Sequence, residues 1–151
     1  MGQLADIIAN MKTAIATKNT ARDGTTALAD ATAQHNIHPE AGMWVHPGEA
    51  CFYVHEDPID GPRAGEIITG GRSWWSRRIL VYLGQQTQNT EAIEAGIMSD
   101  NIARVEAAVE NATGYPSNSR VPLVQDVATE TKDALFTARI AFRAEWSEPY
   151  T

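Results

Sequence analysis

The chain of 151 residues contains one cysteine, Cys51, so no internal disulfide can form, and a lone thiol fits a reducing compartment. Long apolar runs are also missing. Stretches such as residues 79–83 are far shorter than the roughly 18 to 20 apolar residues of a membrane-spanning helix, so we expect no contact with a membrane. The N-terminus, MGQLADIIANMK, lacks an early positive charge and a long apolar stretch. We therefore expect that the protein has no secretion signal and that it is synthesised in the cytoplasm.

Basic residues are scarce: 12 lysines and arginines stand against 19 carboxylates, which leaves a net charge of −7. This balance disfavours a large surface that grips nucleic-acid phosphates. Neither a phosphate-binding loop with Gly-Lys-Ser/Thr nor a His-Glu-x-x-His metal motif is present. Apolar residues at 43% and charged residues at 21% are ordinary globular values, so a single folded domain over residues 1–151 is predicted.

The first element predicted is an amphipathic helix over residues 4–18. Apolar residues recur there at the spacing of one helical face, namely Leu4, Ile7, Ile8, Met11 and Ile15. A long loop at about residues 19–42 follows, with few large apolar residues. We expect it to be mostly irregular, with a short helical turn around residues 27–33. Loops of this length in compact domains are often functional, so it is a candidate for an interaction.

Strand patterns begin after residue 44. The segment EACFYVHE alternates with a period of two, and a second β segment is expected over residues 66–69. The next segment, GGRSWWSRRILVYLG, covers residues 70–84. Both of its faces become apolar from Ile79 onward, which predicts a strand covered on both sides there and a rim near Trp74. Because neighbouring strand residues alternate in direction, Trp74 and Trp75 should point to opposite faces.

A second helix and a hairpin complete the pattern. The helix has one apolar stripe, and it begins at Thr90 or only near Ser99. Gly114 is a candidate left-handed cap at its end, before Pro116. Strands over 123–131 and 135–146 form the hairpin. The second of them alternates so clearly that we expect it to be covered on one side only. Its apolar face consists of Phe136, Ala138, Ile140, Phe142, Ala144 and Trp146.

The order of these elements predicts the fold class. It runs helix, strands, helix and two strands, without repeated βα units. That grouping indicates an α+β fold in which a mostly antiparallel sheet is packed by an N-terminal and a mid-chain helix.

Residues able to carry out catalysis are few. The four histidines, His35, His38, His46 and His55, lie within 21 residues, but the first two fall in the irregular segment, so we expect no metal site and no cofactor. Cys51 and His55 would lie about 13 Å apart along one strand, too far for a nucleophile and its base. The acidic pair Glu56 and Asp57 borders a Pro/Gly-rich turn, where solvated carboxylates are expected. These patterns indicate that the protein is not an enzyme.

Tryptophan and arginine together favour a protein interaction surface, because these residue types dominate interface hot spots. An aromatic and basic surface for nucleic acid is the other interpretation, but the acidic charge and the opposite directions of the two tryptophans count against it. Residues assigned to the interaction surface, as a hypothesis, are Arg72, Trp74, Trp75, Arg77, Arg78, Arg139 and Arg143.

In the order of its elements the chain resembles the tail terminator, or tail completion, proteins found in the neck of long-tailed bacteriophages. Four segments carry the resemblance: LADIIANMKTAIA, RRILVYLG, IMSDNIARVEAAVENA and ARIAFRAEW. The resemblance implies a structural virion protein, made in the host cytoplasm, whose hexameric ring terminates the tail tube and joins it to the head-side connector. It also implies that DNA passes through the lumen without sequence-specific binding.

The loop at 19–42 departs from the compact pattern of that family, so a neighbouring neck component is a second possibility within the same particle. From another class, the alternative is a small metal- or ligand-binding α+β enzyme that uses His46, His55 and Glu56. Such an enzyme should gather these groups in a pocket, whereas an assembly subunit should keep aromatic and arginine-rich surface exposed. A nucleic-acid binder should instead arrange its arginines in a continuous positive stripe.

Overall fold

The computed structural model describes residues 2–30, 50–57, 63–68, 72–132 and 135–149. Within these residues the helices are α1 (Gly2–Ala16) and α2 (Glu91–Asn111). The strands are β1 (Ala29–Asp30), β2 (Ala50–Glu56), β3 (Arg63–Ile68), β4 (Arg72–Gln86), β5 (Ser119–Arg120), β6 (Leu123–Lys132) and β7 (Leu135–Pro149). Neither described helix is long and apolar enough to cross a membrane.

The centre of the sheet is the antiparallel pair β4 and β7. The two strands have 15 residues each and pair along their full length, from Arg72 opposite Pro149 to Gln86 opposite Leu135. On the far side of β4, β2 pairs with its second half and β3 with its first. On the far side of β7, β6 pairs with residues 135–142 and β5 with residues 145–146. Among the described strands only β1 runs parallel to its neighbour, so the sheet is mixed and mostly antiparallel.

Both helices contact β7, and the core lies between them and one face of the sheet. From α1 the fully buried side chains are Ile7, Met11 and Ile15, three of the five apolar positions that predicted this helix. The sheet contributes Phe52 and Val54 from β2, and it also contributes the alternating face of β4 and β7. That alternating set comprises Ile79, Val81, Leu83, Phe136, Ala138, Ile140, Phe142, Ala144 and Trp146. The predicted α+β class is therefore confirmed.

The first part of the segment at 19–42 is an ordered turn. Asn19 and Ala27 form an antiparallel bridge, and β1 follows directly. The predicted helical turn around 27–33 is therefore wrong for residues 27–30, and residues 31–49 lie outside the described residues. Asp23 shapes the turn by accepting bonds from the backbone N–H groups of Thr25 and Thr26. Gly24 adopts a φ of 73°, a left-handed conformation that glycine adopts more readily than other residues.

Helix α2 begins at Glu91, after the N-cap Thr90, which is the earlier of the two predicted starts. Its end differs from the prediction. The C-cap is Ala112 in an extended conformation, and Gly114 is not in the left-handed region, so Gly114 does not cap the helix. Gly114 instead lies close to α1. A Cβ at this position would meet the side-chain carbonyl of Asn10, which would have to move.

The face of the sheet that points away from the helices is more buried than predicted. Ala141 on β7 has 0% exposure, so the expectation that this strand is covered on one side only fails at this position, although Arg139, Arg143 and Glu145 on the same face are only half-buried. Its direct partner on β4, Leu80, is buried as well, which confirms the two-sided burial predicted for that strand. The neighbours of this pair are half-buried arginine and tyrosine side chains. Long side chains of these types cover apolar surface with their stems while their polar ends reach water.

Candidate interaction surface

The candidate interface residues lie on the central pair β4 and β7, where the register brings several of them together. Trp75 is opposite Trp146, Arg78 is opposite Arg143, and Arg139 is opposite Tyr82. The backbone of Arg72 pairs with Pro149 at the start of β4, and the Arg72 side chain lies outside the described part of the structure.

Burial changes sharply along β4. The five consecutive side chains of residues 74–78 are all half-buried, whereas Ile79, Leu80 and Val81 are buried. The sequence predicts this boundary, because both faces become apolar at Ile79. We call residues 74–78 the tryptophan–arginine rim. This rim exposes part of two indole rings, although such rings are large enough to dominate a protein interface once buried.

The two tryptophans of the rim point to opposite faces of the sheet. Trp75 lies on the helix side, where it packs against the core, and Trp146 is its cross-strand partner. Trp74 lies on the other side, opposite Ser147. The two rings therefore cannot form one stacking platform, as the alternation of the sequence predicts.

The arginines also separate between the two faces. Arg77 shares the helix side with Trp75, and its Nε lies 3.3 Å from Glu56 Oε1. The other three form a set that we call the arginine face, consisting of Arg78, Arg139 and Arg143 on the side away from the helices. Since like charges directly opposite each other destabilise a sheet, the Arg78 and Arg143 pair needs counter-charges.

Asp57 supplies one such counter-charge, because its Oδ2 lies 3.4 Å from Arg78 Nε. Arg143 Nη1 donates a hydrogen bond to the neutral Ser76 Oγ at 3.4 Å. The Asp57 side chain is only 15% exposed. The expectation of a solvated turn carboxylate is therefore wrong for Asp57, whereas Glu56, although it lies near Arg77, is 45% exposed and remains in contact with solvent.

The described residues give no geometric support to the alternative enzyme site at His46, His55 and Glu56. His35, His38 and His46 lie outside the described residues. His55 and Glu56 are neighbours on β2, so their side chains point to opposite faces of the sheet. Cys51 is buried beside Tyr53 and Tyr82. No group of three metal-ligating side chains occurs among the described residues.

Sequence reasoning missed a buried ionic network at the start of α2. Glu94 is 1% exposed, and one of its carboxylate oxygens lies 2.5 Å from Nη2 of Arg22, whose side chain is 8% exposed. The amides of Gln85 and Asn89 also donate to this carboxylate, each at 3.2 Å. Asn101 completes the network by accepting from the backbone N–H of residue 21 and donating to Gln85.

This network of an ion pair and hydrogen bonds connects three parts of the chain. Arg22 belongs to the turn at 19–27, Gln85 lies at the end of β4, and Glu94 lies in the first turns of α2. Arg22 Nη2 also donates to the backbone carbonyl of Gln86 at 3.1 Å. The turn is thereby bonded to both the sheet and the helix, as expected of a preorganised surface loop.

Glu94 could have been found by extending the apolar stripe of α2. Four residues before Met98, the stripe reaches Glu94, so a carboxylate occupies a core-facing position. A carboxylate there requires a buried partner. Nothing in the pattern identifies that partner as Arg22, which is 72 residues away along the chain.

We expect acid to lower the stability of the fold because it protonates the Glu94 carboxylate. Burial alone raises the pKa of Glu94, but hydrogen bonds from the Arg22 guanidinium and from two side-chain amides, with the Arg22 charge, hold it below its ordinary value of 4.5. A lowered folded-state pKa means that the stabilising contribution is fully present above about pH 4.5 and is lost as the pH falls toward the folded pKa. Urea denaturation between pH 7 and pH 3 measures this loss.

The control is Glu94→Gln, which removes the titrating group and keeps the shape of the side chain. Hydrogen bonds from Thr26 and Thr25 also lower the pKa of Asp23, and this contribution is retained in both proteins. We therefore expect the wild type to lose more stability than Glu94→Gln below pH 4.5. Equal losses in the two proteins would contradict the assignment.

A scan against models of known protein families found no match to this chain, and a search of curated protein sequences found none either.

Proposed function

We propose that this protein is a structural subunit of a bacteriophage neck, whose homo-oligomeric ring terminates the tail tube and joins it to the head-side connector. The order of elements that underlies the resemblance to tail terminator proteins agrees with the fold: helix α1, the apolar strand β4, helix α2 and the final hairpin β6–β7. The proposed partners are further copies of the chain, six in the complete ring, together with the tail tube protein and the connector. DNA crosses the lumen without sequence-specific binding, and no catalytic residue is assigned.

The observation that carries the proposal is the tryptophan–arginine rim. Its side chains are half-buried in one subunit, directly beside a stretch of β4 that is buried on both faces. Burying the rest of the Trp74 and Trp75 rings against a neighbour would supply the central aromatic contact that stable interfaces use. A ring needs head-to-tail contacts between two different patches, and the rim would supply one of them.

Absolute mass tests the proposal directly. Light scattering behind size-exclusion chromatography, over a series of protein concentrations, should show a closed oligomer, and negative-stain imaging should show rings of six subunits. Trp74→Ala should shift the equilibrium toward monomers while circular dichroism stays unchanged. Leu123→Ala is the matched control, because Leu123 is an exposed apolar residue of β6.

Three results would count against this proposal. A chain that remains monomeric at every concentration, alone and with tail tubes added, would contradict the ring. An oligomer that dissociates equally after Trp74→Ala and Leu123→Ala would remove the rim from the interface. Clear activity on a small substrate would favour the enzyme alternative instead.

A further inference from the structure

Positive charge is concentrated on one side of an acidic protein. The chain carries a net charge of −7. On the side away from the helices, however, Arg120 joins the arginine face, because it lies on β5 directly opposite Glu145 of β7. On that side, Asp57 lies 3.4 Å from Arg78 and Glu145 lies 2.6 Å from Arg120. Among the side chains of this face that the structure describes, the charged residues are four arginines and two carboxylates.

The outward surface of helix α2 has the opposite charge. Helix α2 buries Met98, Val105 and Val109 against the core, so its other surface is directed outward. That outward surface carries Asp100 and Glu110, both exposed. The remaining outward or half-buried charges of the helix are Glu91, Glu106 and a single base, Arg104. We call this the acidic face of α2.

The spacing of the two faces matches. Arg139 and Arg143 are four residues apart on one strand, which separates their Cα atoms by about 13 Å. Asp100 and Glu110 are ten residues apart on one helix, which separates theirs by about 15 Å. A helix laid along β7 could therefore present a carboxylate at each end of the arginine row.

We propose that the arginine face of one copy of this chain docks on the acidic face of α2 in the next copy. The two faces are different surfaces on opposite sides of the sheet, so the contact is head-to-tail and can close into a ring. Complementary charge would set the register and suppress the wrong pairing of like faces. This inference rests on the self-assembly in the proposed function, and it adds the second patch that the rim alone does not supply.

Charge also favours a second copy over nucleic acid as the occupant. A chain with a net charge of −7 repels a polyanion as a whole, and Asp57 and Glu145 lie among the arginines where phosphates would have to bind. A carboxylate-bearing helix brings few charges and places them at defined points. Arginine pairs with carboxylates in the bidentate geometry that such a contact uses.

The decisive test is a mixing experiment with two charge-reversed full-length chains. The first carries Arg78→Glu and Arg143→Glu, so both of its faces are acidic. The second carries Asp100→Lys and Glu110→Lys, so both of its faces are basic. Each alone should assemble more than about tenfold more weakly than the wild type, because like faces meet. An equimolar mixture should recover the wild-type mass, because every contact in an alternating ring again joins opposite charges.

The controls separate folding from docking. Circular dichroism and thermal denaturation of each chain establish that it is folded, and recovery on mixing demonstrates it independently. Asp6→Lys reverses one exposed carboxylate on α1 rather than α2, and it should leave assembly unchanged. Raising the salt from about 50 mM to about 500 mM should weaken the wild-type oligomer, since screening reduces attraction between partly exposed charges.

The outcomes distinguish this inference from the proposed function. A wild-type oligomer that both reversed chains form equally well, or reversed chains that fail to recover on mixing, would overturn the docking while leaving the ring intact. A wild type that is monomeric at every concentration would overturn both. Binding of a labelled oligonucleotide that is lost with Arg78→Glu and Arg143→Glu would overturn the docking in favour of nucleic acid.

Discussion

Replacing Glu94 with alanine is expected to lower the free energy of unfolding by about 3 to 5 kcal/mol, the usual cost of breaking a buried ion pair by removing one partner. The Arg22 side chain, which is 8% exposed in the wild type, would lose its counter-charge, and the Gln85 and Asn89 amides would lose an acceptor. Urea denaturation at pH 7, at a concentration where the chain is monomeric, measures the change free of assembly effects.

Two further variants establish the cause. Glu91→Ala removes an exposed carboxylate from the first turn of the same helix, so it should cost less than about 1 kcal/mol. In the double variant Arg22→Met/Glu94→Leu no charge remains buried, so the loss should be smaller than that of Glu94→Ala. If Glu94→Ala proved no more destabilising than Glu91→Ala, the pair would not stabilise the fold.

Phe142→Ala is expected to destabilise the fold by a similar amount, about 3 to 5 kcal/mol, because it removes a large side chain from a closed part of the core. Phe142 is among the largest fully buried side chains. It lies opposite Ile79 on β4 and opposite Leu123 on β6, so the cavity would open between three strands. Urea denaturation and the shift in Tm both measure the loss.

The neighbouring residue provides the control, because it points to the other face. Arg143→Ala truncates a half-buried side chain that donates to Ser76, and we expect about 0.5 to 1.5 kcal/mol. Its main effect should be on assembly, through the arginine face. If Arg143→Ala destabilised the monomer as strongly as Phe142→Ala, Arg143 would act in the fold rather than at an interface.

The sequence predicted the parts of the fold that depend on periodicity. The buried positions of α1 and the alternating face of β7 follow from spacings of three to four and of two, because burial on one side of an element requires that repeat. The boundary at Ile79 on β4 was visible for the same reason. The predicted left-handed cap at Gly114 was wrong, since a glycine that lies against a side chain of another helix looks the same in sequence as a capping glycine.

The candidate site could be predicted only in part. Sequence placed Trp74 and Trp75 on opposite faces, and the same alternation separates Arg77 from Arg78. What the alternation could not give is the register, which joins Arg78 to Arg143, 65 positions further along the chain. A pairing over that distance depends on how β4 and β7 align, and no local pattern encodes the alignment.

By itself, therefore, the sequence determined the class of fold, the core faces of its long elements and the acidic character of the chain. Those properties are local or summed over the chain, so reading residues in order is enough. Three findings required the tertiary structure. Arg22 pairs with Glu94, and Glu56 and Asp57 pair with arginines of β4. Arginines also lie together on the face of the sheet that points away from the acidic helix α2. Each of these contacts joins residues that are far apart in sequence. They form only when the fold brings the two partners together.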